Sequence, residues 1–472
     1  MSKYYSTFSR REFLKILGLG GATVGAAAVA PPVFHDLDEI MASPTAEFKR
    51  PAWVKETGKP TCEIDWKAMG EDLFDGADVV WEKGFRKAVG PEQEQASIQA
   101  SARNRVLWIL KNKPGFTNKD WAFNACRHFF KTPGYLNPGN QMFLGPQTAP
   151  TLESLGLPRY EGTPEENARM VRAFLKLHGC AEVAYCELET DTTEKIIYKC
   201  DAAGIPYFIR DQQKPEEVID PEGKKSYRVI PKKARWVIVY TIRMSDELLR
   251  RVPTYLSYRA AFIAYEYQCI VQSWLQEFMR ALGYSCLGWH RITSSLGSTT
   301  GWGVMSGLGE TCRNMHLITP EHGQTERVFS AITDLPLAPG KPVDFGAFEF
   351  CKKCKKCADL CPAGAIPSGT EPVWEKNNFY HRAGVKTWYR DEARCRAYVY
   401  QVDNACGVCA AVCPFSKLNK APYHNAVRSV TAGTRTFDRF LRKMDDFMGY
   451  GMRATDEYEN IWDMDLPPFG WE

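Results

Sequence analysis

Cysteines near the carboxyl-terminal end of the sequence occur at spacings that suit iron-sulfur chemistry. Of the 16 cysteines in the chain, eight fall between Cys351 and Cys413. The first four follow the pattern C-x2-C-x2-C-x3-C-P, and the last four follow C-x10-C-x2-C-x3-C-P. Thiolates at such short spacings can bind several irons of one cluster from a single tight loop. The two runs therefore predict two metal clusters rather than a set of disulfides.

The pairing rule of two-cluster ferredoxins divides these cysteines into two groups, because the last cysteine of each run binds the other cluster. The first group is Cys351, Cys354, Cys357 and Cys413, and the second group is Cys361, Cys395, Cys406 and Cys409. We expect each group to bind one [4Fe-4S] cluster. Two zinc sites are the alternative, but zinc has no use for a ligand exchanged between runs. The remaining cysteines match no metal pattern and are expected to be buried free thiols.

Composition limits what the rest of the chain can be. The 472 residues are 44% hydrophobic and 25% charged, which is typical of a globular protein and excludes a disordered chain. A net charge of +4 is too small to suggest a protein that coats nucleic acid. Roughly 300 residues lie between the first 30 residues and Cys351, far more than an electron-transfer module needs, so they should hold a catalytic cofactor or a docking surface. The sequence has neither a G-x-G-x-x-G turn nor a P-loop.

The amino-terminal residues resemble a twin-arginine (Tat) export signal. Arg10 and Arg11 precede a weakly hydrophobic, Gly- and Ala-rich stretch from Ile16 to Ala30. This stretch is shorter than the ~20 residues that a membrane-spanning helix needs. We expect residues 1–30 to be an export signal with a cleavage site between residues 26 and 43. Export by this route would carry the folded protein, with its cofactors, to the outer face of the cytoplasmic membrane.

Three further segments, in order ahead of Cys351, carry a resemblance to a known family. Phe278–Tyr284 reads FMRALGY and is similar to the family segment FIRxLGY, while residues 307–314 read GLGETCRN and are similar to GLGExxRN. Residues 333–337 read TDLPL, which also occurs in the family. Together with the export signal and the cysteine runs, these segments resemble the respiratory reductive dehalogenases of organohalide-respiring bacteria.

The resemblance implies an α/β (α+β) fold: a nitroreductase-like core that holds a base-off corrinoid, and a ferredoxin-like domain with two [4Fe-4S] clusters. It implies reductive removal of halide from a small organohalide, a chlorinated alkane or alkene, as the last step of organohalide respiration. Gly307, Gly309 and Glu310 are expected to bind the cofactor. The sequence has no D-x-H-x-x-G segment to ligate cobalt from below, which agrees with a base-off corrinoid.

The reaction needs a proton donor, and the resemblance implies Tyr265, thirteen residues before Phe278. Apolar residues recur at helical spacing between Pro253 and Gly283 and predict a helix that carries this tyrosine. Arg327, six residues before Thr333, matches the basic partner that would stabilise a phenolate. Tyr258 and Tyr267 are alternatives to Tyr265 on the same helix. Trp388 and Tyr389 are expected to line the substrate pocket.

The sequence divides into five regions. These are the signal (1–30), an N-terminal wrapping region (31–160), the corrinoid-binding catalytic core (161–340), the two-cluster domain (341–425) and a C-terminal tail that packs on the core (426–472).

Expected partners are a small membrane-anchor subunit and a membrane electron donor, with a homodimer possible and no nucleic acid. Two other functions fit part of the pattern. An epoxyqueuosine reductase, which acts on tRNA, also combines a corrinoid with two clusters, but the export signal argues against it. An exported electron-transfer subunit would lack the corrinoid.

Overall fold

The computed structural model describes most of the chain after the predicted export signal. The described residues are 50–72, 81–125, 143–201, 203–220, 222, 226–289, 295–416, 422–434 and 436–470. The predicted signal therefore lies outside the described residues. Residues 53–472 form one compact unit, so the predicted regions that follow residue 53 are parts of one folded body.

Helices and strands alternate along the chain, as expected for a mixed fold. The helices are α1 (Trp66–Glu71), α2 (Trp81–Val89), α3 (Pro91–Leu110), α4 (Asn118–Ala125), α5 (Pro164–Leu177), α6 (Asp246–Leu249), α7 (Tyr255–Ala281), α8 (Thr299–Met305), α9 (Ala347–Cys354), α10 (Lys356–Asp359), α11 (Glu392–Gln401), α12 (Val408–Ala411), α13 (Pro422–Gly433) and α14 (Asp438–Phe447). The strands are β1 (Lys55–Glu56), β2 (Val183–Glu187), β3 (Tyr207–Arg210), β4 (Glu216–Val218), β5 (Tyr227–Pro231), β6 (Trp236–Arg243), β7 (Cys286–Leu287), β8 (Glu310–Thr311), β9 (Leu317–Ile318), β10 (Glu326–Thr333) and β11 (Val343–Asp344).

An antiparallel sheet of four strands, in the order β2-β6-β10-β7, forms the centre of the fold. Strand β6 reads WVIVYTIR and is buried along nearly its whole length. Such a continuous apolar and β-branched run indicates a strand that is covered on both faces. Three smaller sheets, β3-β5-β4, β1-β11 and β8-β9, surround this centre.

The two faces of the central sheet pack against different parts of the chain. Ile238 and Phe329 belong to the hydrophobic core that contains residues of α7, and we call this side the α7 face. Val237 and Ile332 belong to the core that contains residues of α8, and we call this side the α8 face. Because side chains alternate along a strand, the neighbours Glu326 and Arg327 of β10 point to opposite faces. Arg327 shares the α7 face with Phe329, and Glu326 shares the α8 face with Thr241.

Helix α7 confirms the helical pattern that the sequence predicts after Pro253. It begins with a capping box, in which the Thr254 and Ser257 side chains each accept a hydrogen bond from the other residue's backbone N–H. Tyr284 donates its backbone N–H to Met279 in the turn beyond the helix, where Gly283 has a φ of 93°. A glycine adopts this left-handed conformation at little cost. None of the helices in the described part of the chain has the length and apolar character that a bilayer crossing requires.

Candidate functional site

The first group of cysteines surrounds one cavity. Helix α9 carries Cys351 and Cys354, α10 carries Cys357, and Cys413 follows α12. All four line one pocket, together with Arg313 and Phe415. Lys355 joins the two helices with a φ of 54°, and this left-handed residue turns the chain so that cysteines on both helices reach the same space. The structure therefore brings the four cysteines of the first group together around one space.

Burial raises the pKa of three thiols of the first group, Cys351, Cys354 and Cys357. Burial raises the pKa of Cys354 to about 12, and the nearby Cys413 contributes to the increase. Burial likewise raises the pKa of Cys351 and of Cys357, with further contributions from neighbouring cysteines. Iron binds the thiolate, so the cations of a cluster would stabilise the form that burial disfavours.

Glu310 fixes the helix that carries the first two ligands. Its carboxylate is fully buried and accepts hydrogen bonds from the backbone N–H groups of Phe345 (2.8 Å), Ala347 (3.1 Å) and Phe348 (3.1 Å). A carboxylate at the start of a helix satisfies N–H groups that have no partner within the helix. Glu310 therefore sets the start of α9, four residues before Cys351.

The glycines that precede Glu310 serve close backbone packing. Gly307 has a φ of 73°, and a Cβ atom at Gly309 would lie 2.1 Å from the carbonyl oxygen of Ile318. The cofactor contact predicted for Gly307, Gly309 and Glu310 stays a prediction.

Arg313 joins the first group to the chain that follows it. Its guanidinium group is 1% exposed and donates hydrogen bonds to the carbonyl oxygens of Cys351, Pro367 and Gly369 at 2.7 to 3.0 Å. It also lies 4.5 Å from the ring centroid of Trp388. A planar group with five N–H donors suits such a set of carbonyls.

The second group of cysteines comes together at the edge of the same region. Helix α11 carries Cys395, α12 carries Cys409, Cys406 lies just before α12, and Cys361 follows α10. Burial raises the pKa of Cys395 to about 12, and the nearby Cys409 and Cys406 contribute. Burial also raises the pKa of Cys406 to about 11, with contributions from Cys409 and Cys361. Cys409 also contributes to the raised pKa of Cys357 in the first group, so the two groups adjoin each other.

Tyr265 and Arg327 meet on the α7 face. The Arg327 guanidinium carbon lies 5.4 Å from the centroid of the Tyr265 ring. Phe329, two residues along β10, packs edge-on against the same ring at 5.7 Å, and Phe262 lies at 5.8 Å. The Arg327 Nε atom is buried and has no hydrogen-bond partner within the described residues. The roles predicted for Tyr265 as proton donor and for Arg327 as its partner stay predictions.

The two alternative tyrosines of α7, Tyr258 and Tyr267, make different contacts. Tyr267 donates its hydroxyl hydrogen to the carbonyl oxygen of His178 at 3.1 Å and packs on Phe469. Tyr258 packs against a separate cluster that contains Phe116 and Tyr255. The contact with Arg327 favours Tyr265 over both alternatives.

Comparisons with known proteins agree with this arrangement. The family model described as "Reductive dehalogenase subunit" matches residues 49–337, and the model of a "4Fe-4S double cluster binding domain" matches residues 350–416. The chain is 30% identical to a chloroethene reductive dehalogenase of Dehalococcoides mccartyi, over 100% of this chain and 99% of the relative. This protein belongs to the reductive dehalogenase family.

Two further relatives define how far the likeness extends. A tetrachloroethene reductive dehalogenase of Sulfurospirillum multivorans is 35% identical over 57% of this chain and 53% of its own. A solved structure, titled as suggesting a mechanism for B12-dependent dehalogenation, superposes with a TM-score of 0.56 at 19% identity over 84% of this chain. The chain spans about half the length of that solved protein, 49%. The superposition confirms the expected fold class.

Trp388 and Tyr389 lie within the cluster region of this dehalogenase. The Trp388 indole N–H donates to the carbonyl oxygen of Gly369 at 3.1 Å, and its ring packs on Phe348. The Tyr389 hydroxyl donates to the carbonyl oxygen of Val385 at 2.6 Å. Trp388 belongs to the α8 face, whereas Tyr265 packs on the α7 face. The structure therefore does not bring the two pairs together, and the pocket role stays a prediction.

The sequence analysis missed a connection between the second group and Arg327. Arg390 donates an N–H to the His316 ring nitrogen Nε2 at 3.3 Å, and its charge interacts with Cys395 and Cys409. Burial, and then the charges of Arg390 and Arg327, lower the pKa of His316 to about 3. His316 is therefore a neutral imidazole between two arginines. No local spacing could have indicated this contact, because 74 residues separate its members.

Proposed function

We propose that this enzyme removes halide reductively from a small chlorinated alkene or alkane. The overall change is R–X + 2e⁻ + H⁺ → R–H + X⁻, so the protein must supply two electrons and one proton and must release an anion. The two cysteine groups would hold the clusters that deliver the electrons. A bound corrinoid would supply the low-potential chemistry at the carbon–halogen bond.

The contact between Tyr265 and Arg327 carries the proposal. A phenol with a pKa near 10 is a weak acid unless a cation stabilises its phenolate. Arg327 lies close enough to the Tyr265 ring to provide that charge, and its buried Nε–H is open to a further partner. Tyr265 would give its hydroxyl proton to the substrate carbon, and Arg327 would stabilise the phenolate left behind.

The surroundings of Tyr265 suit a small apolar substrate. Phe262 and Phe329 pack on its ring, and Trp289 packs on Phe329 with 5.2 Å between ring centroids. A chlorinated hydrocarbon offers few hydrogen-bonding groups and would bind mainly through burial against such rings. The relatives named for chloroethene, trichloroethene and tetrachloroethene support the same class of substrate.

We also propose export and attachment to the outer face of the cytoplasmic membrane. Arg10 and Arg11, with the short apolar stretch behind them, support a Tat signal. A small anchor subunit would hold the enzyme near a membrane electron donor. Replacing both arginines with lysines should leave the protein in the cytoplasm with its clusters, and fractionation of cells would show it. Normal export of that variant would contradict the proposed route.

The decisive experiment pairs cofactor analysis with two matched tyrosine variants. Wild-type protein, matured in a corrinoid-competent host and purified without oxygen, should contain about eight irons and one corrinoid and should release chloride from chloroethenes with reduced viologen. Tyr265→Phe should keep both cofactors and lose at least about a hundredfold in turnover, the usual contribution of a general acid. Tyr267→Phe, on the same helix but bonded to His178, should stay active.

Two outcomes would contradict the proposal. Full turnover of a loaded Tyr265→Phe variant would remove this tyrosine from the mechanism. Eight irons without corrinoid in the wild-type protein would leave an electron carrier instead of a dehalogenase.

A further inference from the structure

A buried carboxylate holds the loop that leads into the second cysteine run. Asp403 is 2% exposed and lies three residues before Cys406. It accepts hydrogen bonds from the Ser101 hydroxyl (2.6 Å), from two N–H groups of Arg105 (both 2.7 Å) and from the Tyr255 hydroxyl. Burial by itself would raise the pKa of Asp403, but the bonds from Arg105, Ser101 and Tyr255 lower it. Asp403 is therefore an ionised group with a complete set of donors.

The loop needs such an anchor because its backbone is strained. Asp403 has a φ of 47° and Asn404 a φ of 69°, and both are left-handed residues with side chains. Asn404 is held too, because its side-chain oxygen accepts an N–H from Arg396 of α11 at 3.3 Å. Two consecutive left-handed residues reverse the chain after α11. This reversal brings Cys406 back toward Cys395.

The spacing of the second run explains why this reversal matters. In the first run, Cys351, Cys354 and Cys357 are close in sequence, and two short helices place them. In the second run, ten residues separate Cys395 from Cys406. The distance between these two ligands therefore depends on the path of a helix and a loop. The hydrogen bonds that Asp403 accepts fix this path at the end of the loop.

The donors to Asp403 come from two distant helices. Ser101 and Arg105 lie one turn apart on α3, and Tyr255 is the first residue of α7. Tyr265 follows on α7 ten residues later, about 15 Å along the helix axis. One carboxylate thus joins the N-terminal region, the helix of the predicted proton donor and the second cysteine group.

We propose that Asp403, with Arg105 as its charge partner, is a positioning residue that sets the geometry and the reduction potential of the second cluster. This inference rests on the part of the proposed function in which the second group binds a [4Fe-4S] cluster. Ion pairing leaves no net charge at Asp403 and Arg105. Removing the carboxylate alone would leave the half-buried Arg105 cation unpaired beside the loop that leads to Cys406, and a cation favours the reduced, more negative state of the cluster.

The test uses the whole enzyme with its cofactors, purified without oxygen and titrated electrochemically while the spectra of both clusters are followed by electron paramagnetic resonance. Cys395→Ser identifies the signal of the second cluster. Asp403→Asn should keep about eight irons and raise the midpoint potential of the second cluster, with the first cluster unchanged. Arg105→Gln should lower that potential. The double variant should return toward the wild-type value, a coupling that a purely structural role would not produce.

Arg86→Gln is the matched control, because Arg86 also makes an ion pair with α3, through Glu94 at 2.6 Å, but its partner is not Asp403. It should leave both potentials unchanged. If Asp403→Asn loses its clusters, the opposite shift in Arg105→Gln still decides the inference. The inference would be overturned if the midpoint potential of the second cluster were unchanged in Arg105→Gln and in any Asp403→Asn protein that keeps its clusters. A wild-type protein with fewer than eight irons would instead overturn the proposed function.

Discussion

The two groups of cysteines are held by different means. Cys351, Cys354 and Cys413 of the first group are buried in the hydrophobic core of the α8 face. All four cysteines of the second group are partly exposed. Packing and the buried Glu310 fix the first group, whereas a loop tied to Asp403 fixes the second. Cys357 is partly exposed as well, so the first group lies mostly in the core, whereas polar contacts at the edge of the core hold the second.

This difference predicts how substitutions near each group should affect the fold and the clusters. A change beside the first group should disturb the fold together with the cluster. A change beside the second group should alter its cluster while the fold persists. The following changes test that contrast.

The largest effect is expected for Glu310→Ala. Three backbone N–H groups at the start of α9 would lose their acceptor, and each buried unsatisfied group costs about 1–3 kcal/mol. We expect a loss of about 4 kcal/mol in the free energy of unfolding and about four irons fewer. Thermal unfolding and iron analysis would show both. Glu349→Ala, which removes a half-exposed carboxylate from the same helix, should change neither; normal stability of Glu310→Ala would refute the role of this carboxylate.

Arg313→Met should have a somewhat smaller effect. The carbonyl oxygens of Cys351, Pro367 and Gly369 would lose their donor, but methionine would keep part of the packing on Trp388. We expect a loss of about 3 kcal/mol and a first cluster that is lost readily on dilution, with the second cluster retained. Arg394→Met on α11 is the control, since its side chain is 69% exposed. Equal loss of both clusters would contradict the contrast between the groups.

The pH dependence of stability should involve Glu326, which supports the α8 face. Burial raises its pKa to about 7, although hydrogen bonds from Thr319 and Thr241 oppose the increase. Its contribution to stability is complete below the unfolded pKa of about 4.5 and is lost as the pH rises through about 7. Glu326→Gln should therefore gain roughly 2 kcal/mol relative to the wild type between pH 5 and pH 8. Denaturant titrations at both pH values would measure the difference; a constant difference would show that Glu326 does not titrate in this range.

Tyr255→Phe should have the smallest effect. It removes one of the hydrogen bonds to Asp403 and leaves those of Ser101 and Arg105, so about 1 kcal/mol should be lost. The spectrum of the second cluster should shift slightly and that of the first should not. A shift confined to the first cluster would reverse the assignment of the two groups. Tyr267→Phe, which has no contact with Asp403, serves as the control.

Local spacing was enough to predict much of this arrangement. The short intervals predicted that three cysteines of the first run lie close together, and the pairing rule of two-cluster ferredoxins assigned Cys413 to them. The periodicity after Pro253 predicted α7, and the resemblance to the family supplied Tyr265 and Arg327. These features depend on residues that are near in sequence or on a pattern shared with relatives.

The residues that hold the cysteine-bearing segments in place could not be predicted in the same way. Glu310 was expected to touch a cofactor, yet its hydrogen bonds go to backbone groups 35 to 38 residues away. Asp403 and Arg105 are 298 residues apart. An aspartate in a loop and an arginine on an exposed helix carry no local sign of pairing. Only the three-dimensional path of the chain brings such residues together.

Strand β10 also limits how this sequence can change over evolution. Glu326 and Arg327 are adjacent and serve opposite faces of the sheet, so one inserted or deleted residue that moved the strand by one position would exchange their sides. The carboxylate would then face Tyr265, and the guanidinium group would enter the core of the α8 face. The connection between β9 and β10 comprises residues 319–325. If its length changes by one residue, the added or lost residue must be accommodated within the connection itself. Otherwise β10 shifts by one position, and Glu326 and Arg327 exchange faces of the sheet.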